Sequence, residues 1–197
     1  MPRKNLIRTN QFYYHITTRA NHKHWFTIPL NQVWMIVISS FKKAQQNHPA
    51  EVSQFVLMSN HYHLLIRTPN SDIDKFMYFF NKEFSRQLRL KSGLTNRMFG
   101  GNYKWSIINS ERYLRNVFRY IYQNPVRAGL VSSCEDYTFS TFHHTFHSLK
   151  VPFNFVELDE LETNIDFIND QLSLENNDSI RKGLRKSIFK EVNKLAR

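Results

Sequence analysis

Residues 56–66 read Val56-Leu57-Met58-Ser59-Asn60-His61-Tyr62-His63-Leu64-Leu65-Ile66. The run is β-branched, aromatic and aliphatic, and it lacks Gly and Pro. With Val52 and Phe55 upstream it predicts two strands over 51–58 and 61–68, or one long strand bent at Ser59-Asn60. Side chains alternate across a strand, so His61 and His63 share one face and Tyr62 takes the other, toward the core. Two imidazoles on one face can hold a divalent cation together. Two ordinary strand histidines give the same pattern, and a motif this short often matches by chance.

Outward from this stretch the elements alternate in kind. Residues 11–19, aromatic and β-branched, predict a strand. Pro29 opens a helical pattern that runs to about Asn47, with Val33, Ile36, Val37, Phe41 and Ala44 at helical spacing, and His48-Pro49 stops it. Ser71 and Asp72 are placed to cap a helix reaching about Lys91, and Gly93 suits its end. A loop with Gly100-Gly101 follows, then a short strand near Lys104–Ile108. Ser110 caps a helix from Glu111 to about Asn124, where Pro125 ends it. Strand, helix, two strands, helix, strand, helix predicts an α+β fold: a ferredoxin-like (RRM-like) antiparallel sheet with helices packed on one face.

Charge narrows the function. The 197 residues carry a formal +11 and include 17 Phe and 9 Tyr, which supplies both a core and candidate stacking surfaces for bases. A net charge of that sign and size favours a polyanion, either nucleic acid or an anionic membrane surface. No apolar run approaches the roughly 20 residues that span a bilayer. The start, Met1-Pro2-Arg3-Lys4-Asn5, is followed by no apolar signal segment. Nucleic acid is therefore the expected partner and the cytoplasm the expected compartment. The single Cys134 excludes an internal disulfide and a cysteine-based zinc site.

The charge is also uneven. Residues 151–179 hold eight acids and no Lys or Arg, while residues 180–197 hold seven bases and one acid, so residues 1–150 carry more than the whole chain's net charge. That shift predicts a main domain over 1–150 and an acidic-then-basic extension over 151–197, helical from about Glu157.

The second informative stretch is Arg119-Tyr120-Ile121-Tyr122-Gln123-Asn124-Pro125-Val126-Arg127-Ala128-Gly129. At about 100° per residue, Tyr120 and Asn124 share a helix face, whereas Tyr122 lies about 160° from Asn124. If Asn124 binds a cation, Tyr120 is the phenol beside it. Spacing alone fits equally well a packed aromatic and a helix-ending Asn before proline.

Taken together, and in this order, the two stretches resemble the HUH single-tyrosine transposases, the insertion-sequence-200-like group that includes a REP-associated branch. Tyr14-His15-Ile16-Thr17-Thr18-Arg19 is similar to that family's first strand, residues 56–66 to its HUH strand, residues 119–131 to its nucleophile helix, and Tyr137-Thr138-Phe139-Ser140-Thr141-Phe142-His143 to the closing segment of the REP-associated branch. The likeness spans roughly residues 8–147. Ser59 stands where many relatives have proline. Asn102 stands where relatives often carry an arginine that contacts the DNA backbone.

The resemblance implies single-stranded DNA, with a hairpin beside the cut, as substrate. It implies Tyr120 as nucleophile, His61, His63 and Asn124 as ligands of Mg²⁺ or Mn²⁺, and a 5′-phosphotyrosine that a 3′-hydroxyl later reverses. A phenol ionises only near pH ~10, so the cation would also stabilise the developing charge. Arg19, Lys82, Arg86, Lys104 and Arg127 are the first candidates for phosphate contacts, although each also reads as a solvated surface charge. The resemblance allows a homodimer or a monomer. The extension would cover the site or bind DNA through Arg181, Lys182, Arg185 and Lys186. Two other readings use the same residues: a domesticated hairpin DNA/RNA binder that does not cut, and a metal phosphoesterase in which water attacks and Tyr120 is structural.

Overall fold

The computed structural model describes residues 5–21, 26–95, 98–99, 101–158 and 164–190. Its first six elements are β1 (Tyr13–Arg19), α1 (Leu30–Asn47), β2 (Glu51–Leu57), β3 (His61–Arg67), α2 (Ile73–Ser92) and β4 (Lys104–Ile108). The strands form one sheet in the order β2-β3-β1-β4, and every pairing is antiparallel. This is the ferredoxin-like βαββαβ arrangement. Residues 51–67 resolve as two strands closed by a tight turn, in which Met58 N donates to His61 O at 2.8 Å.

Strand alternation sends two sets of apolar side chains to opposite faces. Tyr14, Ile16, Phe55, Tyr62, Leu64 and Ile66 point to α1 and α2 and are buried with Phe41, Phe76, Phe80 and Phe84. Phe41 stacks on Phe80 at 4.3 Å between centroids. Tyr62, fully buried, donates from its hydroxyl to Asn81 Oδ1 (2.8 Å) and accepts from Thr18 Oγ1 (2.9 Å). The expected layer of helices packed on one face is therefore present. The other face is also apolar, through Tyr13, Val56 and Leu65, and it is covered by α3 (Glu111–Tyr122) through Val117, Tyr120 and Ile121. A sheet with apolar residues on both faces must bury both.

Local signals resolve as follows. Ser110 Oγ accepts from Tyr113 N at 3.3 Å, capping α3, and Gly93 ends α2 in the left-handed region at φ 69°. Asp72 stands at the N-cap of α2 but makes no capping bond. Its Oδ2 instead pairs with His48 Nδ1 at 2.8 Å, which ties the end of α1 to the start of α2.

Pro125 does not simply end the chain's helical path. α3 stops at Tyr122, and a short helix α4 (Asn124–Arg127) follows. Pro125 has no N–H to offer the preceding turn. Asn124 Nδ2 supplies the missing donor, reaching Tyr120 O at 3.0 Å and Ile121 O at 3.1 Å.

After α5 (Thr141–Phe146) the described part of the extension holds two helices, α6 (Ile165–Asn169) and α7 (Leu174–Gly183). Short bridges tie its ends to both edges of the sheet, Phe155 at Val52 and Ile188 at Ile107. Covering the edges removes open hydrogen-bonding rows that would pair with other chains. Gln123, 2% exposed, anchors the middle. Its Nε2 donates to Ile168 O (2.8 Å) and Asp170 O (2.6 Å), and its Oε1 accepts from Leu172 N (3.1 Å). Gly100 and residues 191–197 lie outside the described residues, as does part of the acidic stretch (159–163). Among the described residues no helix is long and apolar enough to cross a membrane.

Candidate active site

His61, His63, Tyr120 and Asn124 line one cavity of about 1040 Å³ on the α3 face of the sheet. Three elements build it. β3 supplies the imidazoles, α3 the phenol, and the first residue of α4 the amide. The His63 and Tyr120 rings meet edge to face at 6.1 Å between centroids, and His61 and His63 at 5.1 Å. Tyr120 is buried along its ring, while Asn124 and His61 are half-buried.

Each polar group is oriented by a second one. His61 Nδ1 lies 2.7 Å from Asn60 Oδ1. A carbonyl oxygen only accepts, so Nδ1 carries the proton and Nε2 keeps its lone pair. His63 Nδ1 lies 2.9 Å from Nε2 of His15, a buried residue of β1, and the two rings stack at 5.2 Å. The bonds from Asn124 Nδ2 to the end of α3 fix its amide so that Oδ1 points away from the helix, where it accepts from Arg127 Nη2 at 2.7 Å. The Arg127 guanidinium lies over the Tyr120 ring, with Cζ 4.3 Å from its centroid, and its Nη1 donates to Asn177 Oδ1 of α7.

The three central histidines are held neutral. Burial lowers His15 to about 3. Burial, and then the charge of Arg19, lowers His61 to about 4. Burial comes first for His63 as well, followed by the neighbouring His15, His61, Arg127 and Arg19, and its value falls well below the ordinary one. A neutral imidazole is the form that ligates a cation.

The structure divides the expected phosphate contacts. Arg19, Lys104 and Arg127 line the cavity and are exposed. Lys82 and Arg86 do not; they sit on α2, across the sheet. Arg86 is bidentate to Glu83, with Nη2 2.6 Å from Oε1 and Nε 3.0 Å from Oε2, and Lys82 lies over the Tyr78 ring. Both cations lie away from the cavity, because α2 packs on the opposite face. Sequence reasoning gave His15 no special place among the other histidines. It also left undecided that α7 and the residues just after it form a wall of the cavity through Asn177, Arg181 and Arg185. Strand alternation puts His15 on some face, but only the pairing of β1 with β3 brings it to His63. Of the remaining histidines, His22 and His24 lie outside the described residues. His143 and His144, on α5, turn Nδ1 to the backbone carbonyls of Glu135 and Ser140, away from this cavity.

The chain is similar to known proteins. A curated REP-associated tyrosine transposase of Escherichia coli K12 is 26% identical over 141 residues, covering 72% of this chain and 81% of that protein. A Haemophilus influenzae protein provisionally given the same name is 27% identical over 158 residues, covering 72% of this chain and 84% of the relative. In fold, the chain superposes with a TM-score of 0.63 on a solved structure of a REP-associated tyrosine transposase bound to a REP hairpin. That protein is 22% identical, with 77% of this chain and 90% of the other covered. The model of the family "Transposase IS200 like" matches residues 8–124, more than half of the chain and the span that carries all four central side chains. The chain belongs to the IS200-like transposase family.

Proposed function

We propose that this transposase-family protein cuts and rejoins single-stranded DNA beside a hairpin, with Tyr120 as nucleophile and His61, His63 and Asn124 as the seat of a divalent cation. The observation that carries this reading is the convergence of one phenol, two neutral imidazoles and one outward-turned amide oxygen on a single cavity of a single chain. Two further observations support it: the cavity is rimmed by Arg19, Lys104 and Arg127, and the fold neighbour is bound to a REP hairpin.

The donor set fits Mg²⁺ or Mn²⁺. Among the described residues no three His, Cys, Asp or Glu side chains converge as a metal site; here the third donor is an amide oxygen. His61 Nε2 has a free lone pair, and Asn124 Oδ1 uses one of its two lone pairs on Arg127. Two nitrogens and one oxygen, completed by water and phosphate, suit a hard-to-borderline cation. When bound, that cation supplies Lewis acidity at the scissile phosphate and fixes its orientation.

The chain's own residues do the rest. Tyr120 Oη attacks phosphorus. The new O–P bond forms as the P–O3′ bond breaks, the phenol proton is lost, and the 3′-oxygen leaves as a hydroxyl. Arg127, over the phenol ring, offers positive charge where the oxygen and phosphate become more negative. Attack by another 3′-hydroxyl on the phosphotyrosine reverses the step and rejoins strands. Because one chain supplies every group, a monomer suffices, and a homodimer is compatible. Cellular single-stranded DNA as substrate places the work in the cytoplasm.

The test uses end-labelled hairpin-flanked single-stranded DNA, Mn²⁺ and a denaturing gel. A covalent protein–DNA band that disappears in Tyr120→Phe is expected. Cutting that persists in Tyr120→Phe would instead assign a water-using phosphoesterase, and binding without cutting would assign a hairpin-binding protein.

A further inference from the structure

We propose that His15 is a positioning residue of the active site: it accepts a hydrogen bond from His63 Nδ1–H and so presents His63 Nε2 to the divalent cation. The inference rests on the reading of His63 as a ligand and adds a residue which that reading does not contain.

The geometry is specific. His15 sits on β1 on the same face of the sheet as His63, one diagonal step away, since His15 pairs with Leu65 and Thr17 with His63. The nitrogens stand 2.9 Å apart and the rings are nearly parallel, at 25°. Both residues are buried, 3% and 7% exposed. A bond between two neutral imidazoles needs one N–H and one lone pair. Only two tautomer pairs satisfy it. In one, His63 carries its proton on Nδ1 and its Nε2 is free to ligate. In the other, His15 donates and His63 Nε2 is protonated, which disables it as a ligand.

One feature favours the first pair. His61, the neighbouring imidazole, is already held in the Nδ1–H form by Asn60 Oδ1, so the same tautomer on His63 gives two nitrogens that act together. The resulting order, His15 to His63 to cation, is the outer-shell device by which proteins fix the tautomer and orientation of a ligating histidine.

The test needs no DNA cutting. Long-range ¹H–¹⁵N NMR on histidine-labelled protein, without metal or DNA, reads the tautomer of His63 directly; a proton on Nδ1 is expected. Mn²⁺ affinity, measured by electron paramagnetic resonance, should fall roughly 10–100-fold in His15→Phe. It should recover substantially in His15→Gln, whose Oε1 restores an acceptor. A proton on His63 Nε2 in the wild type overturns the proposal. So does unchanged affinity in a folded His15→Phe, or equal loss in both variants, since filling space would then be the whole role. If His15→Phe does not fold, the wild-type tautomer decides alone. A wild type that binds no Mn²⁺ counts against the parent reading of the site, whereas the tautomer still reports on His15.

Discussion

The guanidinium of Arg127 lies over the Tyr120 ring, Cζ 4.3 Å from its centroid, and bonds to Asn124 Oδ1 at 2.7 Å. One cation thus touches both the phenol and the amide. A planar guanidinium stacks and forks, and an ammonium does neither. Arg127→Ala should weaken DNA binding about tenfold and make the logarithmic salt dependence shallower by about 0.7, the share of one single-strand phosphate. Arg127→Lys should keep most of the binding, by filter binding across a salt series, yet form less covalent adduct. Equal adduct yields in Arg127→Lys and the wild type would reduce Arg127 to a point charge.

Asn124 carries a structural duty beside its proposed chemical one. Its Nδ2 donates to two carbonyls at the end of α3, Tyr120 O and Ile121 O, the second of which Pro125 leaves without its backbone donor. Asn124→Asp keeps an oxygen for a cation and loses both donors. Thermal or urea unfolding should show a loss of about 1–2 kcal/mol at neutral pH, near the cost of unmade hydrogen bonds at a partly buried site. A variant as stable as the wild type would mean that solvent serves those carbonyls equally well.

Buried neutral histidines make the protein sensitive to acid. Burial lowers His15 to about 3 and sends His63 well below its ordinary value. Below pH ~6.5 the unfolded chain therefore binds more protons than the folded one, and stability falls as pH falls toward the folded-state values. From pH 7 to 5 each such histidine costs about 2 kcal/mol as an upper figure, because the pair is coupled. Urea unfolding at the two pH values, without divalent cation, measures the sum. His15→Gln should lose less stability across that interval than the wild type, and a parallel pH dependence in the two proteins would contradict the assignment.

The extension is clamped at two points that can be broken separately. Gln123→Leu would leave Ile168 O, Asp170 O and Leu172 N without their partner. It should destabilise the protein by about 2–4 kcal/mol, as expected for several buried groups left unsatisfied.

At Gly183 an added Cβ would stand 2.6 Å from Lys190 O and 2.7 Å from the Phe189 ring. Gly183→Ala should therefore push residues 188–190 off α7 and cost about 1–3 kcal/mol. Limited proteolysis should then cut nearer the C-terminal end of the extension, and an unchanged digestion pattern would show that the backbone there yields easily.

Much of this site was legible in the sequence because it rests on local periods. Strand alternation places His61 and His63 together, and the helical repeat places Tyr120 with Asn124. The first holds within one strand and the second across the short step from α3 to α4, whatever those elements pack against. The order of elements likewise announced the sheet and its helical layer, since turn and cap signals sit within a few residues of the boundaries they set.

Tertiary structure alone decided which elements meet. That β1 carries His15 to His63, that α3 covers the face opposite α1 and α2, and that Arg127 joins the site while Lys82 and Arg86 stand across the sheet all depend on register and on the side from which a helix packs. Those choices are made by contacts between residues far apart in the chain, such as Tyr14 with Ile66 or Gln123 with Leu172. Two apolar faces on one sheet demand cover without naming what supplies it, so the partners emerge only when the whole chain is folded.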